Sequence, residues 1–328
     1  MSDWILFGAG ACGQNTLKYM REHGQEPIAF ADNDSTRWGT KFHSVPVLPP
    51  KLAKKLNPEA TFVVTIYDRS AKDVRRQLEA MNAKTAPINS LVPVYHGLPT
   101  ASIEAQLRGV VTEPQTLTEI SDQLLFRRTL NYDLQIPPTD KGETYFPDFI
   151  SKNPEEVYID CGAYDGDSIR QFLKTRTAKE IIAFEPDYVT FNKLLASTEC
   201  TALRCALGSY TGTVPFVPTG WMDAHVDKDA KSFIPCVRCV RLDELDYQPT
   251  FIKMDIEGSE IEALQGSRGI LQKYKPVLAI CAYHKGPDLW EIPLLIHSIQ
   301  PSYDLRLRRY AEGPWELVWY AVPPGRIK

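Results

Sequence analysis

The chain has 328 residues, and none of its apolar runs approaches the roughly 20 uncharged residues of a membrane span. No charged-then-apolar leader precedes the strand-like Trp4–Phe7, so the expectation is a cytoplasmic protein without a membrane span. Excess charge is also missing: 37 Lys and Arg against 41 Asp and Glu leave a net −4. That excludes a global basic field of the kind duplex binding needs, and nucleic acid is not an expected partner. Cysteine is sparse and odd in number, seven residues in apolar or strand-like stretches, which points to reduced, buried thiols rather than a disulfide framework. Only Cys236-x-x-Cys239 has metal-like spacing, and it lacks a second pair. Solenoid repeats are absent too. What remains, 43% hydrophobic and 24% charged residues, is the composition of a folded protein long enough for two domains.

Residues 1–95 alternate strand and helix patterns: strand Trp4–Phe7, helix Gly13–His23, strand Pro27–Ala31, strand Val45–Leu48, helix Pro50–Leu56, strand Thr61–Thr65, helix Ser70–Met81 and strand Thr85–Ile88. Strands separated by helices imply a parallel sheet. The first strand runs into "FGAGACGQ", giving Gly8-x-Gly10-x-x-Gly13 before a helix. Asp32 follows about twenty residues on, as a dinucleotide fingerprint requires. These four residues are the candidate N-terminal nucleotide site. A scaffolding or dimerising role is the alternative, since fold does not fix function, and a homo-oligomer is a possible partner state.

Pro93, Gly97 and Pro99 punctuate the chain, and a helix-prone stretch follows over about Thr116–Leu134. A second alternation starts at Val157 and closes with a hairpin pattern, Tyr303–Arg309 and Glu316–Val322, which makes the second sheet mixed. The expected organisation is therefore a Rossmann-like domain over 1–98, a helical connector over 99–143 and a second α/β domain over 144–328. The fold class is α/β with two Rossmann-like doubly wound domains. Helix Glu260–Gln265 is read as extending to Leu271.

The second glycine turn, "YIDCGAYDGDS", differs from the first. Asp160 ends the strand, and Gly162 and Gly166 let the backbone turn before the helix bearing Ser168. A carboxylate there repels a pyrophosphate but suits an ammonium group. About twenty-five residues later "IIAFEP" ends a strand in Glu185, placed to accept hydrogen bonds from ribose hydroxyls. Two carboxylates at adjacent strand ends suit a nucleoside without phosphates, and S-adenosylmethionine is such a molecule. Tyr164, Pro186, Tyr188 and Ala206-Leu207 are further candidates to line the cofactor's slot.

Six blocks carry a resemblance: "VYIDCGAYDGDS", "IIAFEPD", "CALGSYTGTV", "VRLDEL", "FIKMDIEGSEIEALQGS" and "KPVLAICAYHK", in this order. Over roughly Thr144–Val322 the chain resembles FkbM-family methyltransferases. The resemblance implies a class I S-adenosylmethionine-dependent fold and O-methylation of sugars or other hydroxylated substrates. It places Asp160, Gly162, Gly166 and Glu185 in the family's cofactor segments, and Asp255, Glu257 and Glu260 in its acidic motif. "PIAFADNDSTRWGTKFHSVPVLPP" is similar to the small Rossmann (PglD-like) domains that precede sugar-nucleotide-dependent acyltransferases. The competing readings are an NAD- or nucleotide-sugar-binding oxidoreductase with an accessory C-terminal module, and a non-catalytic binding protein.

For the chemistry, "FIKMDIEGSE" sets Lys253 and Asp255 on one face of a strand, and "LAICAYHK" brings Tyr283, His284 and Lys285 to the same sheet edge. Methylating a hydroxyl needs a positioned oxygen and a sink for its proton. His284 is the expected general base, oriented by Asp255. The metal-free version is preferred, because one carboxylate and one imidazole make a sparse magnesium site. A divalent cation on those two residues is the alternative. Arg306, Arg308 and Arg309, if they border the pocket, would suit an anionic substrate such as a sugar phosphate or uronic acid.

Overall fold

The structure is a computed structural model and describes residues 3–66, 70–91, 97–129, 131, 134–139, 142, 144–220, 224–227 and 234–328. The chain divides into two compact units, one of residues 1–98, 121–137 and 312–314, the other of residues 99–120, 138–311 and 315–328. The stretch read as a connector is thus shared between them. Within it run two helices, α4 (Ala101–Gly109) and α5 (Pro114–Thr129). Part of the reading as far as Leu134 lies outside the described residues.

The first unit is built on one sheet of six strands, β1 (Trp4–Phe7), β2 (Ala29–Ala31), β3 (Lys41–Phe42), β4 (Val45–Leu48), β5 (Thr61–Val64) and β6 (Lys84–Ala86), in the order β3-β4-β2-β1-β5-β6. All neighbours are parallel except β3 and β4. Helices α1 (Ala11–Glu22), α2 (Pro50–Leu56) and α3 (Ser70–Ala80) supply the crossovers, the doubly wound arrangement. The apolar runs Ile5–Phe7 and Ala29–Ala31 are buried, as strands covered on both faces must be.

The second unit holds a seven-stranded sheet of β7 (Val157–Cys161), β8 (Glu180–Phe184), β9 (Thr201–Leu203), β14 (Phe251–Met254), β15 (Val277–Cys281), β16 (Asp304–Arg309) and β17 (Leu317–Val322). Their order is β16-β17-β15-β14-β7-β8-β9, with β17 antiparallel to both neighbours and the other pairs parallel. The terminal hairpin therefore makes the sheet mixed, as its sequence pattern predicts. A second, four-stranded sheet pairs β10 (Ala206–Leu207), β11 (Gly212–Val217), β12 (His225–Val226) and β13 (Cys236–Val240). Cys236 is exposed and Cys239 buried, because residues three apart on a strand face opposite ways. They do not converge on a metal.

The core beneath the seven-stranded sheet is aromatic: Tyr158 of β7 stacks on Phe172 of helix α6 (Asp167–Thr175) with centroids 4.6 Å apart, and Phe146 meets both rings edge-on. Helix α7 (Tyr188–Ser197) follows β8, its N-cap Asp187 accepting from the backbone of Val189 and Thr190. The expected single helix from Glu260 to Leu271 is two, Glu260–Gln265 and Arg268–Tyr274. Gly266 lies between them, where a Cβ would stand 2.0 Å from the Gly208 carbonyl oxygen. That close approach requires glycine at the break.

Candidate active site

In the seven-stranded sheet the chain winds outward from β7 in one direction and returns to β14 on its other side. The carboxyl ends of β7, β8 and β14 therefore surround the topological switch point, where open α/β sheets bind ligands. A cavity of about 400 Å³ opens there. Its size suits a small molecule or cofactor.

Glycine is required at the turn after β7. Gly162 has φ +78°, and a Cβ there would stand 1.9 Å from the Asp255 carbonyl oxygen. Gly166 is left-handed at φ +85° and caps α6, with Thr198 filling the space a Cβ would need. Gly162→Ala is therefore expected to cost about 2–3 kcal/mol through strain and overpacking. Urea unfolding measures it, and an unchanged midpoint would contradict the close approach.

Glu185, 7% exposed, is fixed at the end of β8. Its Oε2 accepts from the Tyr164 amide and its Oε1 from the Asp187 amide, each at 2.9 Å. A carboxylate has further lone pairs, and Glu185 lines the cavity. Gly162, Tyr164, Ser168, Pro186, Ala206 and Leu207 also line it, whereas Tyr188, expected in the slot, is 63% exposed at the start of α7 and does not.

Asp160 stands apart from them. It is fully buried beneath the turn rather than at its mouth. Its carboxylate accepts from Tyr158 Oη at 3.1 Å and from Ser168 Oγ, and lies 3.1 Å from Lys253 Nζ. Lys253 also donates to the Gly162 carbonyl at 2.8 Å. Burial alone would lower the Lys253 pKa, and the carboxylates of Asp160 and Asp255 reverse this and raise it. The ammonium group that Asp160 holds is thus the protein's own, and the pair braces the turn.

At the other end of the cavity Asp255 follows β14. Its Oδ2 accepts from Tyr145 Oη at 2.8 Å, and Tyr283 Oη stands 3.5 Å from its Oδ1. Burial opposes its charge, but Lys253, His284 and the Tyr145 hydrogen bond hold its pKa below the usual carboxylate range. His284 Nε2 lies 3.3 Å from Asp255 Oδ1 and 3.5 Å from Glu257 Oε1, while Nδ1 is 2.9 Å from Glu260 Oε1. Glu260 is fully buried and also accepts from the Ile256 amide. Burial disfavours the imidazolium, yet Glu257, Glu260 and Asp255 outweigh it and push the His284 pKa up to about 11. With these carboxylates alone around it, the imidazole already carries its proton at neutral pH. The raised pKa weighs against the expected general base, and the carboxylate nearest to the ring is Glu260 rather than Asp255.

Tyr145 is not a site residue that the sequence singles out, and Glu260 enters there only as part of the acidic motif. Tyr145 lies far upstream in "ETYFPDFI", outside any motif, and its backbone has φ +67°. Glu260 is visible in the acidic motif, but reads equally as a first-turn helix acid. The arginines expected to border the pocket do not reach it. Arg308 pairs with Glu113 at 2.6 Å, Arg306 with Asp304 at 3.2 Å, and the buried Arg309 with Glu119 at 2.9 Å. Trp290 packs in the core at 7% exposed.

In the first unit Gly8 adopts φ +114°, and a Cβ on Gly13 would stand 2.1 Å from the Gly8 carbonyl oxygen, so α1 packs tightly on β1. Gly10 caps α1 in open space. Asp32 turns back on the glycine loop, accepting from the Ala9 amide and, through its other oxygen, from the Asp34 amide, both at 2.8 Å. Arg37 donates to the Ala9 carbonyl. A shallow cavity of about 570 Å³ opens beside Gly8, Gly10 and Asp32.

A nucleoside-sized cavity at the switch point, with one carboxylate pinned by backbone amides and a second cluster of acids beyond it, defines an α/β domain of methyltransferase topology. The family comparison agrees: residues 160–310 match the methyltransferase FkbM domain, and the chain carries that domain. It is similar to the hexuronic acid methyltransferase AglP of Haloferax volcanii, 27% identical over 139 residues, which are 39% of this chain and 57% of that protein. The chain thus spans little more than half the length of this curated relative. In fold it is similar to a methyltransferase FkbM from Methylobacillus flagellatus, with a TM-score of 0.79, 21% identity, and coverage of 98% of this chain and 90% of that one. No helix among the described residues is long and apolar enough to cross a membrane.

Proposed function

We propose that the chain is an S-adenosylmethionine-dependent O-methyltransferase acting on a hydroxyl of a glycan, sugar nucleotide or related metabolite. Hexuronic-acid-bearing acceptors are the class to test first, because the similar AglP is named for that substrate. The observation that carries the reading is Glu185, locked by two backbone amides at the rim of a cavity that ends in Asp255. The lining also argues for a nucleoside without phosphates. Lys253 and His225 are its only basic side chains among the described residues, and Lys253 is committed to Asp160 and Gly162. A polyphosphate there would face Asp167, Glu185, Asp255 and Glu257 with little to offset its charge.

In this reading Glu185 holds the ribose hydroxyls, the Gly162 turn leaves room for the backbone to approach the nucleoside, and Ala206 and Leu207 cover the base. Bound S-adenosylmethionine supplies the electrophilic methyl group. Asp255, fixed by Tyr145, aligns the acceptor hydroxyl, and Phe216 and Val226 of the β11–β12 wall close one side of the cavity.

Calorimetric titration of the full chain with S-adenosylhomocysteine tests the assignment. Wild-type protein is expected to bind, and Glu185→Ala to bind about 10–100-fold more weakly, the loss of one or two hydrogen bonds to a charged group. No heat with wild-type protein, together with no thermal stabilisation, would remove the cofactor and the activity with it.

A further inference from the structure

We propose that Asp255, Glu257 and His284 form a binding site for one divalent cation of the Mn²⁺ type, with open positions facing the cavity. One ligand atom from each of the three lies within 4.8 Å of the others. Two carboxylates and an imidazole are a donor set that suits Mn²⁺, which accepts nitrogen more readily than Mg²⁺ does.

The cluster alone would be ordinary, but His284 adds an independent observation. Its side chain is 8% exposed, and its Nε2 makes no hydrogen bond even though Asp255 and Glu257 stand 3.3 and 3.5 Å away. The nitrogen thus faces two carboxylate oxygens at ion-pair distance without the short, aligned bond that would satisfy it. The other ring nitrogen is held at 2.9 Å by Glu260, itself fully buried and anchored by the Ile256 amide. If Nδ1 donates to Glu260, the Nε2 lone pair points at the space between the two carboxylates. A carboxylate behind one ring nitrogen and an unsatisfied second nitrogen in front is how metal-ligating histidines are oriented. Tyr145 holds Asp255 from the far side in the same way.

The cation also answers a charge problem, and here the inference rests on the proposed acceptor class. A hexuronic acid brings a carboxylate into a cavity already lined by acids, and Arg306, Arg308 and Arg309 are committed to Glu113, Asp304 and Glu119. A cation between Asp255 and Glu257 supplies the missing positive charge. It would hold neighbouring substrate oxygens and acidify the hydroxyl to be methylated, whose proton leaves to water as its oxygen bonds to the methyl carbon and the methyl–sulfur bond breaks. His284 is then a ligand rather than a base.

Titration of the full chain with MnCl₂ after chelator treatment, followed by the loss of the free-ion electron paramagnetic resonance signal, tests the site without any turnover. One equivalent should bind, and Glu257→Gln and His284→Gln should each weaken it by at least about 100-fold. Glu260→Gln, which leaves the three ligands in place, should weaken it about 10-fold. S-adenosylhomocysteine affinity should change less than about twofold in Glu257→Gln, whose side chain lies beyond the nucleoside end; this control also establishes that the variant is folded. Absence of Mn²⁺ binding to the wild type at 1 mM, on the order of the weakest protein sites for divalent ions, would overturn the proposal. So would binding that both ligand variants retain. If Mn²⁺ binds as expected and S-adenosylhomocysteine does not, the cation site stands and the methyl-transfer reading falls.

Discussion

Lys253→Met is expected to lower the unfolding free energy by about 3–5 kcal/mol, because it strands Asp160 as a buried charge without its partner. Lys253 and Asp160 are 3% and 0% exposed, 3.1 Å apart, at the centre of the seven-stranded sheet. For a unit of this size about 2–4 °C of melting temperature accompanies each kcal/mol, so the shift should be roughly 6–20 °C. The double variant Asp160→Leu/Lys253→Met removes both charges and should recover part of the loss. Tyr158 and Ser168 keep it from recovering all, since their hydroxyls lose an acceptor. Thermal and urea unfolding both read this out. A single-variant loss under about 1 kcal/mol would mean that water reaches the pair.

Asp255→Ala is expected to reduce methyl transfer to an acceptor of the proposed class by about 10²–10⁴-fold, with S-adenosylhomocysteine affinity changed less than about fivefold. The side chain meets Tyr145 and His284 at the acceptor end, whereas the contact with the cofactor turn is made by the Asp255 carbonyl oxygen, which alanine keeps. Tyr145→Phe should produce a milder loss, about tenfold, confined mainly to kcat because it removes only the hydrogen bond that aims the carboxylate. Equal losses of turnover and cofactor affinity in Asp255→Ala would show that the residue holds the fold of the turn rather than the acceptor.

The strand and glycine pattern made the sheet edge legible in the sequence. "YIDCGAYDGDS" and "IIAFEP" put Gly162 and Glu185 on one rim because glycine at a strand end and an acid one strand over are local signals with a fixed geometric meaning. What the pattern cannot reveal is which partner a buried charge finds. Asp160 reads as a carboxylate facing a ligand until Lys253, 93 residues later, is seen to occupy it. The three arginines of β16 read as a solvated or substrate-facing stripe for the same reason, since their acids, Glu113 and Glu119, lie nearly 200 residues away. His284 shows the same limit in its chemistry. Its ordinary pKa suits a base, and only the convergence of three carboxylates from two elements changes its protonation.

The break at Gly266 lies where two layers of one domain meet. Gly266 lets the chain just after β10 approach the helical layer closely, at the Gly208 carbonyl oxygen, and the small sheet contributes Phe216 and Val226 to the cavity wall. Side chains on that wall carry none of the bonds that brace Asp160, Lys253 and Gly162. Substitutions at Phe216 or Val226 can therefore change the shape of the cavity without touching the bonds that brace the glycine turn.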